Sequence, residues 1–430
     1  VPQPRIVILD GDLLGRNFVI PQGRIITVGR DDVADVVIPH PSISKIHASF
    51  ELRGDQLVVS DRESTNGVRL NGERIRQAAL NDQSVFAIGD IQLRYESGEE
   101  LADTLREFKS RTDGIMDELR KRIVGQEEVL QQLLACIFAG GHALMVGVPG
   151  LAKTVTVNSL AQALDLSFRR VQFTPDLMPS DITGTTILQD TEEGKRFKFV
   201  EGPVFTQLLL ADEINRTPPK TQASLLEAMQ ERQVTAGDRT LKLPQPFVVI
   251  ATQNPIEQEG TYVLPEAQLD RFMFNIAIDY PSRGEEEEIL RRTTAPQESN
   301  LRKVMHAQEI LMFQRAVRQV ETSSLVISYA ARLVRATRLS GEDSDPEIRG
   351  LLEWGAGPRA GQYLLFGAKA FAAMQGRAHA TCADVRRAAI PVLRHRISTN
   401  FQAQARGVRS DDVIRILLER IKEPEMPKFV

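Results

Sequence analysis

Three short runs carry residue types that phosphate chemistry needs. Gly147-Val148-Pro149-Gly150-Leu151-Ala152-Lys153-Thr154 follows one apolar run and opens an amphipathic one. In such a loop the backbone N–H groups cradle phosphates, Lys153 reaches the β and γ phosphates, and the Thr154 hydroxyl ligates Mg²⁺. Ala152 stands where the generic pattern has a second glycine, so the loop alone also reads as a structural turn. The second run, Leu208-Leu209-Leu210-Ala211-Asp212-Glu213, has the form of a buried strand ending in two carboxylates. Asp212 can hold Mg²⁺ through water, and Glu213 can orient and deprotonate an attacking water. The third, Val248-Val249-Ile250-Ala251-Thr252-Gln253-Asn254, ends in an amide that positions the same water or caps the turn before Pro255. The combination predicts ATP binding and Mg²⁺-dependent hydrolysis.

A scaffold must bring those strand ends together. Apolar β runs (Ala143 to Val146, Gln207 to Ala211, Phe247 to Thr252) alternate with amphipathic helices such as Thr154 to Leu164 and Lys220 to Arg232. That alternation predicts a parallel sheet covered by helices. After Tyr280-Pro281 the β signals stop, and Ser324 to Arg338, Arg359 to Gln375 and Ala383 to Arg394 read as helices. Ahead of this region, from Arg5 to about Tyr95, lie short β-rich runs: Arg24 to Val28, Ala48 to Leu52, Leu57 to Ser60 and Ile91 to Tyr95. The turn signals Arg53-Gly54-Asp55, Asn66-Gly67 and Asn71-Gly72 separate them, which predicts an all-β sandwich. Ser97-Gly98-Glu99-Glu100 marks a boundary, after which Leu105 to Lys121 is charged and helix-like, with apolar residues at helical spacing. The expected plan is a sandwich over 1–98, a linker over 99–112, an α/β core over 113–281 and a helical domain over 282–430.

The loop, the Asp212-Glu213 pair, Asn254 and Leu269-Asp270-Arg271-Phe272 occur in the order found in AAA+ ATPases. Ala211 to Arg216, Gln222 to Gln233 and Ala251 to Phe272 resemble the MoxR branch, which also carries alanine at the position of Ala152. The resemblance covers about Arg122 to Arg396. It implies a P-loop AAA+ core with an all-α lid, assembled as a homo-oligomeric ring, a hexamer, with ATP at subunit interfaces. Arg271 is then the arginine finger that enters the neighbour's site, and Arg359 in Gly357-Pro358-Arg359 the sensor arginine of the lid. Val124-Gly125-Gln126 lies where the family wraps adenine. Read without the family, Arg271 is also a candidate ion-pair partner of Asp270, and Arg359 a helix start. Phe173 to Gly202 fits the helix-two insert of this branch, expected near the ring's pore, or an ordinary surface hairpin.

In the β-rich part, Gly29-Arg30, Ser44-Lys45-Ile46-His47 and Ser64-Thr65-Asn66-Gly67, followed by Asn71-Gly72, resemble forkhead-associated (FHA) domains in order and spacing. This second resemblance covers about Ile6 to Tyr95. It implies a phosphothreonine-containing protein as partner, with Arg30, Ser44 and Lys45 meeting one phosphate dianion, and Thr65 and Asn66 gripping phosphate and peptide backbone. Lysine at position 45, where arginine is commoner in the family, keeps the charge and loses the bidentate grip. His47 reads as a structural hydrogen-bonding residue and Asn71-Gly72 as a tight turn.

Bulk properties narrow the function class. With 42% apolar and 26% charged residues, the 430-residue chain has the composition of a multidomain globular protein. A formal net charge of −4 and a pI near 6.0 disfavour nucleic acid as a partner. Cys136 and Cys382 stand far apart without metal-ligand spacing, which fits a reducing, cytoplasmic setting. The longest apolar stretch, around Gly140 to Ala152, is broken by His142, glycines and Pro149, so no membrane span is expected. Val1-Pro2-Gln3-Pro4-Arg5 has no signal-like apolar run, and secretion is not expected. The expectation is a remodelling chaperone recruited through phosphothreonine, with a von Willebrand factor A protein as the family-based client. The rivals are a nucleic-acid translocase and a phospho-dependent scaffold with little ATPase activity.

Overall fold

A computed structural model of the chain describes residues 4–54, 56–191, 194–236, 239–256, 260–294 and 300–424. Asp55 of the expected turn, residues 1–3 and 425–430 at the ends of the expected domains, and Glu257–Glu259 within the 251–272 stretch lie outside them. The chain divides into two compact units, Val1–Thr104 and Leu105–Val430.

The first unit is the expected sandwich. Its strands alternate with period two: in Ile91–Glu96 the side chains of Ile91, Leu93 and Tyr95 are buried while Gln92 and Arg94 face outward. One sheet has six strands, the other five with the order Val36–Val37, Ile26–Gly29, Ala48–Arg53, Gln56–Asp61, Gln77–Leu80. Phe50 of the five-stranded sheet meets Phe18 and Phe86 of the other at 5.9 and 5.7 Å between ring centroids, so one core joins both faces. Asn71 (φ 52°) and Gly72 (φ 86°) form the tight turn that joins Val68–Leu70 to Glu73–Ile75.

The segment expected as a linker over 99–112 is instead the start of a 22-residue helix, Glu99–Arg120. Leu105, Phe108, Thr112, Ile115 and Leu119 recur at three- and four-residue spacing and are buried. Phe108 packs against Phe138 and Phe313, each at 4.6 Å. The acidic Ser97-Gly98-Glu99-Glu100 signal therefore marks a helix N-terminus, where negative charge is favoured.

Near the end of that helix Glu118 is 1% exposed and accepts hydrogen bonds from Lys121 Nζ at 2.6 Å and from Arg302 Nε at 2.9 Å. The Lys121 bond, opposed by burial and assisted by Arg302, lowers its carboxyl from 4.5 to about 2. A depressed folded-state pKa contributes stability above the unfolded value, and that stability is lost as pH falls from 4.5 toward about 2. Glu118→Gln should cost roughly 1–2 kcal/mol at pH 7, discounted because both cations are solvent-screened, and close to nothing at pH 2. Denaturant titration of both proteins across that window checks it; a pH-independent difference would contradict it.

The second unit is built on a five-stranded parallel sheet ordered Phe168–Gln172, Leu208–Asp212, Val248–Gln253, Ala143–Val146, Phe274–Ala277. Leu208–Asp212 is buried throughout, the pattern of a strand covered on both faces. Helices Ser324–Ala336, Pro358–Met374, Cys382–Leu393 and Ser410–Arg420 follow. Gly367 permits close packing there, since a Cβ would lie 2.9 Å from Ala388 Cβ and 3.0 Å from the Phe274 ring. The helical part is not free of β structure. Glu321–Thr322 pairs with His379–Ala380, and Leu352–Trp354 with Ser398–Thr399, pairings too short to leave a periodic signal. Within 173–202 the strands Gly184–Thr191 and Gly194–Glu201 form a hairpin on which Leu188 and Phe197 pair and are exposed. No helix among the described residues is long and apolar enough to cross a membrane.

Candidate nucleotide and phosphopeptide sites

The loop Gly147–Thr154 leaves the C-terminal end of strand Ala143–Val146. Glycine is required at 147, where a Cβ would sit 2.8 Å from the Ile278 carbonyl oxygen. Gly150 (φ 85°) and Ala152 (φ 55°) take left-handed conformations that turn the chain into helix Lys153–Ala163. No side chain caps that helix, so its first-turn N–H groups are directed toward the loop. Lys153 Nζ donates to the carbonyls of Gly147 and Val148. Gly125 (φ 66°) and Gln126 (φ 56°) make a second left-handed turn after Val124, and Gln126 Nε2 donates to Leu151 O at 3.4 Å. The adenine-wrapping candidate is thus tied to the phosphate-loop candidate.

Strand Leu208–Asp212 delivers its two acids to the same end of the sheet. Asp212, 7% exposed, accepts from the Thr252 hydroxyl at 2.5 Å on Oδ1 and from Arg170 Nε and Nη2 at 3.0 and 2.7 Å on Oδ2. Thr252 Oγ1 also accepts the Glu213 N–H at 2.8 Å, which joins the two carboxylate residues to the next strand. Glu213 sits at φ 57°, and its Oε2 accepts from Gln172 Nε2 at 2.6 Å and pairs with Arg216 at 3.1 Å. The carboxylate is therefore held toward the edge strand Phe168–Gln172. Asn254 is buried beside this cluster, but its Oδ1 accepts the Ile256 N–H at 3.2 Å, the turn-capping arrangement.

Arg271 and Arg359 lie elsewhere. Arg271 precedes strand Phe274–Ala277, at the N-terminal end of the sheet, and does not pair with Asp270. That carboxylate is taken by Arg359 Nη1 at 2.9 Å and Arg396 Nε at 2.7 Å. Arg359 is the second residue of helix Pro358–Met374, so it does begin a helix, and it lines one cavity of about 220 Å³ with Arg271. No residue of the Gly147–Thr154 loop borders that cavity; Gly140, Gly141 and His142, at the other end of strand Ala143–Val146, do. A four-residue strand separates the two ends by about 13 Å. His142 donates from Nε2 to Met229 O and accepts the Val249 N–H on Nδ1, and burial lowers its pKa to about 4, so the floor of the cavity is uncharged.

In the sandwich, a Cβ on Gly29 would collide with the Lys45 carbonyl, and that bare crossing brings Arg30 to the Ser44-Lys45 turn. The Arg30 N–H donates to Ser44 O at 2.9 Å. Ser44 Oγ accepts the Thr65 N–H at 3.1 Å, leaving its own hydroxyl hydrogen free to donate. Asn66 Nδ2 spends a hydrogen on Ser42 O at 2.7 Å, a tie between the two loops. Buried His47 accepts the Ser44 N–H on Nδ1 and donates from Nε2 to Gly67 O, the structural role expected of it. Arg30, Ser44, Lys45, Thr65 and Asn66 are thus gathered on three adjoining loops, with Arg30 and Lys45 exposed.

Residues 142–274 match the ATPase family associated with various cellular activities, residues 329–417 the AAA lid domain, and residues 26–89 the FHA domain. Chaperone MoxR1 of Mycobacterium tuberculosis is 40% identical over 311 residues, 72% of this chain and 81% of that protein. The chain belongs to the MoxR family of AAA+ ATPases. An uncharacterised protein of Bacillus subtilis, YeaC, is 37% identical to this MoxR-family chain over 311 residues, 72% of it and 93% of the relative. The crystal structure of a proposed ATPase from Cytophaga hutchinsonii aligns with 76% of the chain and 99% of its own length, at 40% identity and a TM-score of 0.71. The plan of an N-terminal FHA domain, a parallel-sheet AAA core and a helical lid stands.

The residues of this MoxR-family member suit Mg²⁺ with nucleotide. Thr154 and Asp212 offer the hard oxygen donors that Mg²⁺ prefers, and the Arg170 guanidinium already places a cation against Asp212 Oδ2. Among the described residues no cluster of three His, Cys, Asp or Glu forms a separate metal site. Arg170, Gln172, Arg216 and Thr252 were not foreseen. Arg170 and Gln172 belong to an edge strand whose exposed polar side chains resemble any surface strand, and Thr252 lies inside an apolar run.

Proposed function

We propose that the chain is an ATP-hydrolysing remodelling chaperone that works as a ring, a hexamer, on protein clients and is recruited or regulated through phosphothreonine. One observation carries the ring: the phosphate loop and Glu213 occupy the C-terminal end of the parallel sheet, whereas Arg271 and Arg359 occupy the opposite end. Those arginines complete a site only on a neighbour, a head-to-tail contact of the kind from which closed rings are built.

Within each site the loop N–H groups and Lys153 hold the phosphate tail, and Val124 and Gly125 border the base. Thr154 and Asp212 would hold Mg²⁺, which would supply positive charge against the charge that develops on the phosphates. Glu213 takes the proton of the attacking water once its carboxylate turns away from Gln172 and Arg216, with Asn254 fixing the turn beside it. The neighbour's Arg271 and Arg359 stabilise charge as the γ-phosphoryl transfers.

The relative named a chaperone, together with the acidic balance of this chain, favours a protein client over nucleic acid. A von Willebrand factor A protein in the cytoplasm is the client class to seek first. Recovery of proteins trapped by Glu213→Gln from lysate, with and without phosphatase treatment, tests both client class and phosphate dependence. DNA stimulation of ATPase at moderate salt would instead favour the translocase.

Phosphothreonine recognition rests on Arg30, Ser44, Lys45 and Thr65 sharing one rim. Arg30→Ala should weaken binding of a phosphothreonine peptide to the full chain by at least tenfold, about 1.5–3 kcal/mol for charge-assisted hydrogen bonds. Phosphoserine should bind less tightly than phosphothreonine at equal charge, because the FHA likeness implies a pocket for the threonine methyl. Fluorescence titration checks both, and wild-type affinity in Arg30→Ala would refute the pocket.

A further inference from the structure

The cavity that holds Arg271 and Arg359 has two more guanidinium groups in its wall, those of Arg232 and Arg318. Among the described residues no carboxylate pairs with Arg232, Arg271 or Arg318; Asp270 meets Arg359 alone of the four, and shares itself with Arg396. Four cationic residues thus line one recess against a single, shared carboxylate, beside a neutral histidine. Such a field favours an anion strongly. The recess of about 220 Å³ falls below the size usual for whole small-molecule ligands and suits a polyphosphate tail.

Arg232 is held there at some conformational expense. It follows helix Pro219–Glu231 in the left-handed region at φ 53°, where glycine is the favoured residue. Its N–H donates to Ala228 O and its carbonyl accepts from Leu243 N–H, so the backbone is fixed on both sides. Nη2 reaches the Gly140 carbonyl at 3.3 Å, at the lip of the recess. Arg318 arrives from the last turn of helix Ala307–Gln319, one turn beyond Gln314, whose amide is bonded to Ile137 O at 2.7 Å.

We propose that Arg232 and Arg318 are further catalytic residues for ATP hydrolysis, contacting the polyphosphate of a nucleotide bound to the adjoining subunit beside Arg271 and Arg359. The inference rests on the shared-site reading above and extends it. Guanidinium groups suit this task because they stay charged and present several donors to phosphate oxygens.

The test uses assembled mixtures of full chains. An Arg271→Ala chain keeps its own site and lacks the finger, while a Glu213→Gln chain keeps the finger and lacks the base. Mixed, they regain turnover where the second serves the first. Arg318→Ala or Arg232→Gly placed in the Glu213→Gln chain should lower the recovered turnover at least about tenfold, relative to the same substitution placed in the Arg271→Ala chain. Glycine at 232 suits the backbone there, so a folding defect is not expected. Equal turnover in the two placements overturns the proposal and leaves the shared site standing. No recovery in the parent mixture overturns the shared site and the proposal together. Inorganic tripolyphosphate separates the remaining source of the same chemistry: calorimetric binding that Arg318→Ala abolishes, with the two placements still equal, would assign the recess to a free polyphosphate and refute the catalytic role.

Discussion

Lys153→Ala should abolish tight ATP binding, whereas Glu213→Gln should bind ATP like the wild type and no longer turn it over. The asymmetry follows from where each group acts. Lys153 brings a positive charge to the phosphate loop, where its ammonium now satisfies the Gly147 and Val148 carbonyls. Its removal costs the charge-assisted contacts to the β and γ phosphates, together about 3 kcal/mol or more, a hundredfold or greater loss of affinity. In the proposed mechanism Glu213 acts on water rather than phosphate, and in the structure its carboxylate is engaged by Gln172 and Arg216. Exchange for the isosteric amide removes the base and costs about 10²- to 10⁴-fold in turnover with little change in binding. Calorimetry with Mg²⁺ and a steady-state assay separate the two; equal affinity in Lys153→Ala and wild type would sink the site assignment.

Arg271→Ala is expected to have the largest effect on chemistry, a fall of about 10³- to 10⁵-fold in turnover with ATP binding retained, because its guanidinium meets charge that develops only in transfer. The loss is repairable from outside. In randomly assembled equimolar rings of Arg271→Ala and Glu213→Gln, about a quarter of the sites combine an intact base with an intact neighbouring finger, and turnover should return to that extent. A finger acting on its own subunit's site would give no return. Failure of assembled mixed rings to regain activity would therefore place Arg271 outside the neighbour's site.

The parts of this protein that were legible in its sequence are those whose chemistry is local. Gly147 to Thr154 announces a phosphate loop because glycines, lysine and hydroxyl fall within one turn, and Leu208 to Glu213 announces a strand ending in acids because the strand is apolar on both faces. The sandwich strands show as short β-rich runs set apart by turn signals such as Asn66-Gly67 and Asn71-Gly72. What stayed hidden depends on neighbours distant in the chain. Arg170 and Gln172 acquire meaning only when the parallel register sets Gln172 beside Asp212. The cluster of Arg232, Arg271, Arg318 and Arg359 is created by folding alone, since the four lie at or near the ends of different elements. Helix Glu99–Arg120 was readable from Leu105 onward through its apolar spacing but not over its first residues, where Glu99 and Glu100 read as a boundary, and Asn254 offered two roles that composition alone does not separate.

The claim that sites are completed between subunits is tested most directly by Mg²⁺-dependent ATP turnover per chain, measured over a dilution series with sedimentation at each concentration. Turnover per chain should rise as chains assemble and reach a plateau when assembly is complete, because Arg271 reaches a nucleotide only across an interface. Undiminished turnover per chain at a concentration where sedimentation finds only single chains would contradict it.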